Sequence, residues 1–383
     1  MDKFTYQNPT SIHFGQGQIA SINQAIPKDK KVLVIYGGGS IKSNGVYDQV
    51  TAALDGFNWG EFSGVEPNPQ YDTLMKAVEL VKTEGYDYLL AVGGGSVVDG
   101  TKFVAAAACY QGEDPWNILL KQEPVTKVVP LGCVLTLPAT GSESNGGSVV
   151  SRGKDKLFFG SPLVKPAFAV LDPQTTLSLS PRQVANGVVD AFVHTMEQYL
   201  TYPVNAKVQD RFAEGLLHTL IEEGPKALAT PDDLAVRANI MWSATQALNG
   251  LIGVGVPADW TTHMIGHELT GNYGIDHART LSIVLPAVMK VRRKEKEAKL
   301  LQYAERIFGL TTGTADQRID AAIEKTIAFF KQMGVPTTLT DVDLGEKDID
   351  VLIESLKKHG MIALSEHHDI TPEISRKILM TAF

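Results

Sequence analysis

Apolar residues along the chain follow two different periods. Up to about residue 178, short aliphatic runs alternate with stretches of helical spacing. Lys31-Val32-Leu33-Val34-Ile35-Tyr36 is almost continuously apolar and rich in β-branched residues, as expected of a parallel strand covered on both faces. It stops at Gly37-Gly38-Gly39-Ser40, and a helical pattern begins near Val46. A helix is predicted over 71–83, where Leu74, Ala77, Val78 and Val81 share one side. The same unit then recurs, with a strand at 88–92, the run Gly93-Gly94-Gly95-Ser96, and an alanine-rich helix over 97–109. Further strands are predicted at 129–136 and 167–171, and the alternating residues 4–13 read as an outer strand or hairpin. Strands that alternate with helices imply a parallel sheet with helices on both faces.

From Pro181 the strand signals stop. Nine amphipathic stretches follow, at 181–200, 206–227, 232–250, 259–270, 279–291, 295–308, 316–333, 347–359 and 371–382. The last opens with Thr371-Pro372, a capping residue followed by proline at the first helical position. The predicted organisation is an α/β dinucleotide-binding domain over 1–178, Rossmann-like in layout, and an all-helical domain over 179–383.

Composition narrows the function. The 383 residues are 44% hydrophobic and 20% charged, which is ordinary for a soluble enzyme large enough for two cores. A formal net charge of −8 without a basic run argues against nucleic acid or an anionic membrane as partner. Cys109 and Cys133 form neither a disulfide framework nor a zinc-type spacing, so a reducing, cytoplasmic setting is expected. The first residues lack the make-up of a signal peptide, and no apolar run reaches the ~18 residues of a membrane helix.

Candidate chemistry concentrates between residues 190 and 277. Asp190-x-x-x-His194 and His263-x-x-x-His267 each place two polar groups one helical turn apart on one face, and His277 follows as a loop histidine. One carboxylate with imidazoles suits Zn²⁺ or Fe²⁺. Asp190 and His194 would be a mere surface pair were their flanks polar. Val188, Val189, Ala191, Phe192 and Val193 are apolar, so the pair is expected to be buried, and buried charge requires a partner or a metal. The absence of H-E-x-x-H leaves metalloprotease chemistry unsupported. His13, His218, His359, His367 and His368 show no comparable spacing and read as surface or loop residues.

Neither glycine run is the fingerprint G-x-G-x-x-G. A single triple glycine after a strand reads as a tight turn, whereas two in one parallel sheet point to a nucleotide, whose phosphates need close backbone N–H groups and a helix N-terminus. Asp99 reads either as a first-turn carboxylate complementing the helix dipole or as a cofactor contact. Thr140, Ser142 and Glu143 would reach a ribose or phosphate, or cap a helix.

These segments together resemble the iron-type (group III) alcohol dehydrogenase superfamily, closest to its bacterial NADPH-dependent aldehyde reductase and butanol dehydrogenase branch. The carrying motifs are Gly37-Gly38-Gly39-Ser40-Ile41-Lys42, the decapeptide Gly93 to Lys102, Pro138-Ala139-Thr140-Gly141-Ser142-Glu143, the stretch from Ala185 to His194, and His263-x-x-x-His267 with Gly274-Ile275-Asp276-His277. The resemblance runs the length of the chain. It implies a dehydroquinate synthase-like architecture, a metal on Asp190, His194, His263 and His277, and a place for His267 beside substrate and nicotinamide. It further implies pyrophosphate at 93–96, ribose and nicotinamide near Thr136, Thr140, Ser142 and Lys156, and Asp99 close by. Relatives that prefer NAD often carry aspartate where Gly39 stands; with Ser40 and Lys42 following, NADP(H) is the expected cofactor. The implied reaction is reversible reduction of small aliphatic aldehydes to primary alcohols by a homodimer. One rival is a metal- and NAD-dependent lyase of the dehydroquinate synthase-like group; another is a catalytically silent nucleotide-binding protein. Aldehyde-dependent oxidation of NADPH separates the first reading from both.

Overall fold

The computed structural model describes all 383 residues. They form two compact units, one of Gln7–Leu179 with Asp232–Thr245, the other of Met1–Tyr6, Ser180–Pro231 and Gln246–Phe383. Two short segments thus belong with the unit opposite to the one expected from a simple division near residue 178. Nothing in the local pattern of residues 1–6 or 232–245 marks this, because membership is decided by tertiary packing.

The first unit is built on strands β1 (Ser11–Phe14), β2 (Lys31–Tyr36), β3 (Asn58–Phe62), β4 (Tyr88–Gly94), β5 (Leu131–Leu137), β6 (Gly147–Arg152), β7 (Asp155–Gly160) and β8 (Phe168–Leu171). Six of them form a parallel sheet in the order β1-β8-β5-β4-β2-β3, and β6 pairs with β7 as a separate antiparallel hairpin. Alternate residues of the central strands serve opposite faces. Leu33, Ile35, Leu89, Ala91, Leu131, Cys133, Ala169 and Leu171 enter one core, with helices α2 (Tyr71–Glu84) and α3 (Gly95–Ala107). Val32, Val34, Leu90, Val92, Val134 and Val170 enter the other, with α1 (Val46–Ala53) and the segment from Ile19 to Ile26. Both faces are covered, so the strands read as apolar runs without alternation.

Several expectations need correction. Of the outer strand or hairpin read over residues 4–13, the strand forms, shifted to Ser11–Phe14, where β1 lies parallel to β8 at the edge of the sheet. β3 was not predicted, because an edge strand with Gly60 at its centre carries no apolar run. The β6–β7 hairpin also went unpredicted, although its two-residue turn, with Gly153 at φ 63°, is flanked by alternating residues. The second glycine run belongs to the elements it was expected to separate: β4, expected to end at Val92, continues through Gly94, and α3, expected from Val97, begins at Gly95.

The regular elements of the second unit are helices, α4 (Pro181–Tyr199), α5 (Lys207–Ala229), α7 (Thr261–Tyr273), α8 (His277–Val291), α9 (Glu297–Phe308), α10 (Ala315–Gln332), α11 (Glu346–Lys358) and α12 (Pro372–Thr381); α6 (Leu234–Leu248) lies mostly in the first unit. α4 starts on a capping box, in which Ser180 accepts from Gln183 N and the Gln183 side chain accepts from Ser180 N, with Pro181 at the first position. His359 is not the surface residue its sequence context suggests: its side chain is 6% exposed and hydrogen-bonds Glu268 at 2.7 Å.

The glycines at the β4–α3 junction are required by packing. A Cβ on Gly95 would lie 2.5 Å from Thr140 Oγ1, while one on Gly38 would meet nothing within 4 Å. Gly95→Ala is expected to lower stability by about 1–3 kcal/mol through overpacking, whereas Gly38→Ala stays within about 0.5 kcal/mol of the parent. Urea unfolding followed by circular dichroism checks the pair, and equal midpoints for the two variants would contradict it.

Candidate metal and cofactor sites

The metal candidates lie in the helical unit. α4 is buried without interruption from Val188 to Tyr199, so Asp190 and His194, at 3% and 4% exposure, sit in the apolar interior their flanks predict. α7 carries His263 and His267 on one face. It lies against α8 at Gly266, where any Cβ would meet Thr280 Oγ1 at 2.7 Å. This close approach brings His277 to the histidines of α7, with ring centroids 5.2 Å from His263 and 5.1 Å from His267. His277 is not in a loop, as expected from sequence, but is the first residue of α8, directly after Asp276.

One oxygen is the focus. Asp190 Oδ1 lies 3.6 Å from His194 Nδ1, 3.8 Å from His263 Nε2 and 3.7 Å from His277 Nε2. These separations are too long for hydrogen bonds. They are close to the edge of a tetrahedron, about 3.4 Å, that ligand bonds of ~2.1 Å would give around a shared ion. Asp190, His263 and His277 offer ligand atoms all within 4.8 Å of one another. His194 borders this trio, its ring stacked on that of His263 at 4.4 Å. His194 Nδ1 and His263 Nε2 are buried and make no hydrogen bond. Buried imidazole nitrogens without partners, facing a carboxylate, fit a divalent ion in chemistry as well as in spacing.

The electrostatics distinguish the two rings. Burial pushes His194 down to about 4. Burial also opposes charge on His263, but Glu197 and Asp190 outweigh it and raise that ring to about 9. Ion binding needs both rings neutral at the ligating nitrogen and therefore displaces the His263 proton. Two participants escaped the sequence reading. Glu197 receives the Nδ1–H of His263. Trp260, held at φ 58° before α7, sets its indole edge-on to His194 and His263 at 6.3 and 5.6 Å. The Trp260 conformation has no signature in sequence, whereas Glu197 does, standing three residues after His194 and seven after Asp190.

The cofactor candidates lie in the sheet unit. β2 is flanked by β3 on one side and β4 on the other, so strand order reverses about β2, and Tyr36 pairs with Val92. Gly37 and Gly93 therefore lie side by side at the carboxyl ends of adjacent strands, where ligands of such sheets bind. Gly39, at φ 99°, has open space at its Cβ position, as does Gly38. Gly93, Gly94 and Gly95 are instead tight against Val97, Leu137 and Thr140. Ser96 Oγ accepts from Asn68 N at 3.3 Å, and Ser40 opens a single turn that includes Lys42.

Lys42 lies 4.6 Å over the Tyr47 ring and pairs with Glu61 at 3.3 Å, so an incoming phosphate would compete with that carboxylate. Asp99 accepts from the Ser142 hydroxyl at 2.5 Å and from Val149 N at 3.0 Å. Lys102 donates to Ser142 Oγ at 2.8 Å and is pushed by burial down to about 8, with Asp99 opposing. Burial raises the Asp99 carboxyl, against the pull of Lys102, the Ser142 bond and, further off, Lys156 on β7. Asp99 and Ser142 thus tie α3 to the segment after β5, Thr140 Oγ1 accepts from Ser142 N, and Thr136 sits near the end of β5.

Comparison with known proteins places the whole chain in one family. A model of iron-containing alcohol dehydrogenases matches residues 9–173, and one of the Fe-containing alcohol dehydrogenase family's C-terminal region matches 184–375. The chain is 59% identical to the NADPH-dependent aldehyde reductase YqhD of Escherichia coli (strain K12) over 100% of both chains. It is 41% identical to a probable NADH-dependent butanol dehydrogenase of Bacillus subtilis (strain 168), over 94% of this chain and 95% of that one. A crystal structure of E. coli K-12 YqhD superposes with a TM-score of 0.99 at 59% identity, covering 100% of this chain and 99% of the other. The carboxylate–imidazole cluster and the paired glycine runs are thus features of a chain that belongs to the iron-containing alcohol dehydrogenase family, with its dehydroquinate synthase-like fold.

Proposed function

We propose that the protein reduces small aliphatic aldehydes to primary alcohols, reversibly, with NADPH and one divalent metal, Fe²⁺ or Zn²⁺. The observation that carries this is the gathering of three imidazole nitrogens within 3.8 Å of one buried carboxylate oxygen, on a chain 59% identical throughout to an NADPH-dependent aldehyde reductase. The relatives are reductases and dehydrogenases, which favours this reading over the lyase alternative.

Asp190, His194, His263 and His277 hold the metal in this reading. Bound there, a divalent ion supplies Lewis acidity toward a carbonyl oxygen, and NADPH supplies the hydride. The chain's own residues do the rest. Asp190 lowers the net charge of the cluster, the buried faces of α4 and α7 keep water out, and Trp260 shields two of the rings. His267, one turn after His263 and outside the ligand trio, holds a proton for the alkoxide at its ring nitrogen. Gly93, Gly94, Gly95 and Ser96 take the pyrophosphate at the start of α3. Thr136, Thr140 and Lys156 face ribose and nicotinamide, while Asp99 and Ser142 fix the segment that carries Thr140. Gly37, Gly38, Gly39, Ser40 and Lys42 receive the 2′-phosphate, the ammonium leaving Glu61 to do so. A cytoplasmic setting and a homodimer belong to this reading; the place of β1 at the edge of the sheet supports pairing of two copies through that strand, and a sedimentation mass of one chain would count against it.

Asp190→Ala and His263→Ala are expected to lose metal and about a thousandfold in turnover, the several kcal/mol that Lewis-acid polarisation supplies, while still quenching NADPH fluorescence on binding. Full activity of either variant after chelation would remove the metal from the mechanism. Gly39→Asp is expected to move the kcat/KM ratio about tenfold toward NADH through like-charge repulsion. The ratio is the proper readout because φ 99° strains any side chain there. Unchanged preference would detach Gly39 from the 2′-phosphate.

A further inference from the structure

The strongest unassigned feature is a carboxylate behind the metal candidates. Asp190, His194 and Glu197 stand at i, i+4 and i+7 on α4, in a single stripe. The first two point their polar atoms at the focus described above. Glu197, 2% exposed, reaches instead to the first turn of α7. Its Oε1 accepts from Thr262 N at 2.6 Å and from His263 N at 3.3 Å, and its Oε2 accepts from His263 Nδ1. One carboxylate thus caps α7 and holds a side chain of that helix, and both of its oxygens are used.

The consequence for His263 is chemical. An ionised carboxylate only accepts, so His263 must carry its hydrogen on Nδ1. Once the ring is neutral, as a bound ion requires, Nε2 is the lone-pair nitrogen, and it is the one that faces Asp190 Oδ1 without a hydrogen bond. Were the Nδ1 partner a donor, the tautomer would invert and Nε2 would present a hydrogen where a cation is to bind.

A second layer holds Glu197 itself in place. Its backbone carbonyl accepts from Asp259 N at 2.9 Å. Asp259 Oδ1 accepts from Thr261 N at 3.1 Å, and Asp259 Oδ2 pairs with Lys296 at 2.9 Å. Lys296, buried at 3% exposure, also bonds Glu366 at 2.8 Å and Leu200 O at 2.6 Å. The end of α4, the start of α7 and the lead into α9 are joined by this buried set, which fixes where the Glu197 carboxylate lies.

We propose that Glu197 is a positioning residue that sets the tautomer and aim of His263 through a carboxylate–histidine–metal relay. The inference rests on the assignment of His263 as a ligand. Partners of this kind raise ligand basicity and orient the ring, and their loss typically weakens metal binding ~10–100-fold. Glutamine at this position has one acceptor oxygen where two are needed, so its amide must face either Nδ1 of His263 or the first N–H groups of α7.

The test uses the full-length protein, with Co²⁺ as probe, and compares the parent with Glu197→Gln, Glu197→Asp and Asp190→Ala. Glu197→Gln is expected to weaken Co²⁺ binding 10–100-fold in chelator competition and to shift the visible ligand-field bands. Glu197→Asp, which keeps the charge, should recover part of both. A merely structural role would lower the thermal midpoint and leave the Co²⁺ spectrum and affinity as in the parent; that result overturns the proposal. Should Glu197→Gln fail to fold, Glu197→Asp carries the same comparison, and parental affinity and bands in it would overturn the proposal too. Asp190→Ala separates the underlying assignment. If it binds Co²⁺ as the parent does, the metal site itself is wrong; if it loses Co²⁺ while both Glu197 variants keep it unchanged, only the relay is wrong.

Discussion

A carboxylate taken out of water costs several kcal/mol unless charge or hydrogen bonds are returned to it. Asp190 is held at 3% exposure in the middle of a helix that is buried over its last three turns, and the groups arrayed around its Oδ1 are imidazoles at 3.6–3.8 Å. Holding three rings around one buried oxygen constrains the packing, and several features of the helical unit serve it. Gly266 permits α7 to lie on α8, Asp276 precedes His277 at the start of α8, and Trp260 takes a left-handed conformation to begin α7 where it does. Unstrained packing of an apolar bundle would need none of these.

The sheet unit answers a different demand. Asp99, Ser142, Lys102 and Asn145 are joined to one another in its polar interior. Its glycines divide into two kinds. Those at 93–95 are small because protein atoms crowd them, and those at 38–39 are small without any such neighbour. The first kind explains the abrupt passage from β4 into α3. The second is the better sign of space kept for something other than the chain.

How much of this was legible beforehand depended on whether a feature is periodic. Strands β2, β4, β5 and β8 and all nine long helices after residue 180 announce themselves by apolar spacing, and burial of Asp190 followed from its neighbours. β3 and the β6–β7 hairpin did not, since an edge strand and a two-stranded ribbon are stabilised by pairing across the chain. Spacing alone left His267 and His277 interchangeable as ligands; only the crossing of α7 on α8 places His277 Nε2 at 3.7 Å from Asp190 and leaves His267 out of the trio. Glu197 shares a helical stripe with Asp190 and His194 and was available to the same argument, but its partner lies 66 residues on. Lys42 was identified as a cation near the cofactor, yet its pairing with Glu61 depends on β3, which was not foreseen.

The segment Asp232–Thr245 gives the chain an unusual order of assembly. Met241 packs into the core beneath β4 and β5, and the Thr245 hydroxyl donates to Glu143 at 2.6 Å, where that carboxylate is 1% exposed. A nascent chain that has just delivered Leu179 has all six strands of the sheet, but neither the Met241 side chain of its core nor the donor for the deeply sunk Glu143. Those arrive some sixty residues later, after α4 and α5 have been made. Synthesis from the N-terminus therefore cannot finish one unit before starting the other, and a fragment cut at the visible boundary would be left with an unsatisfied acid in an open core.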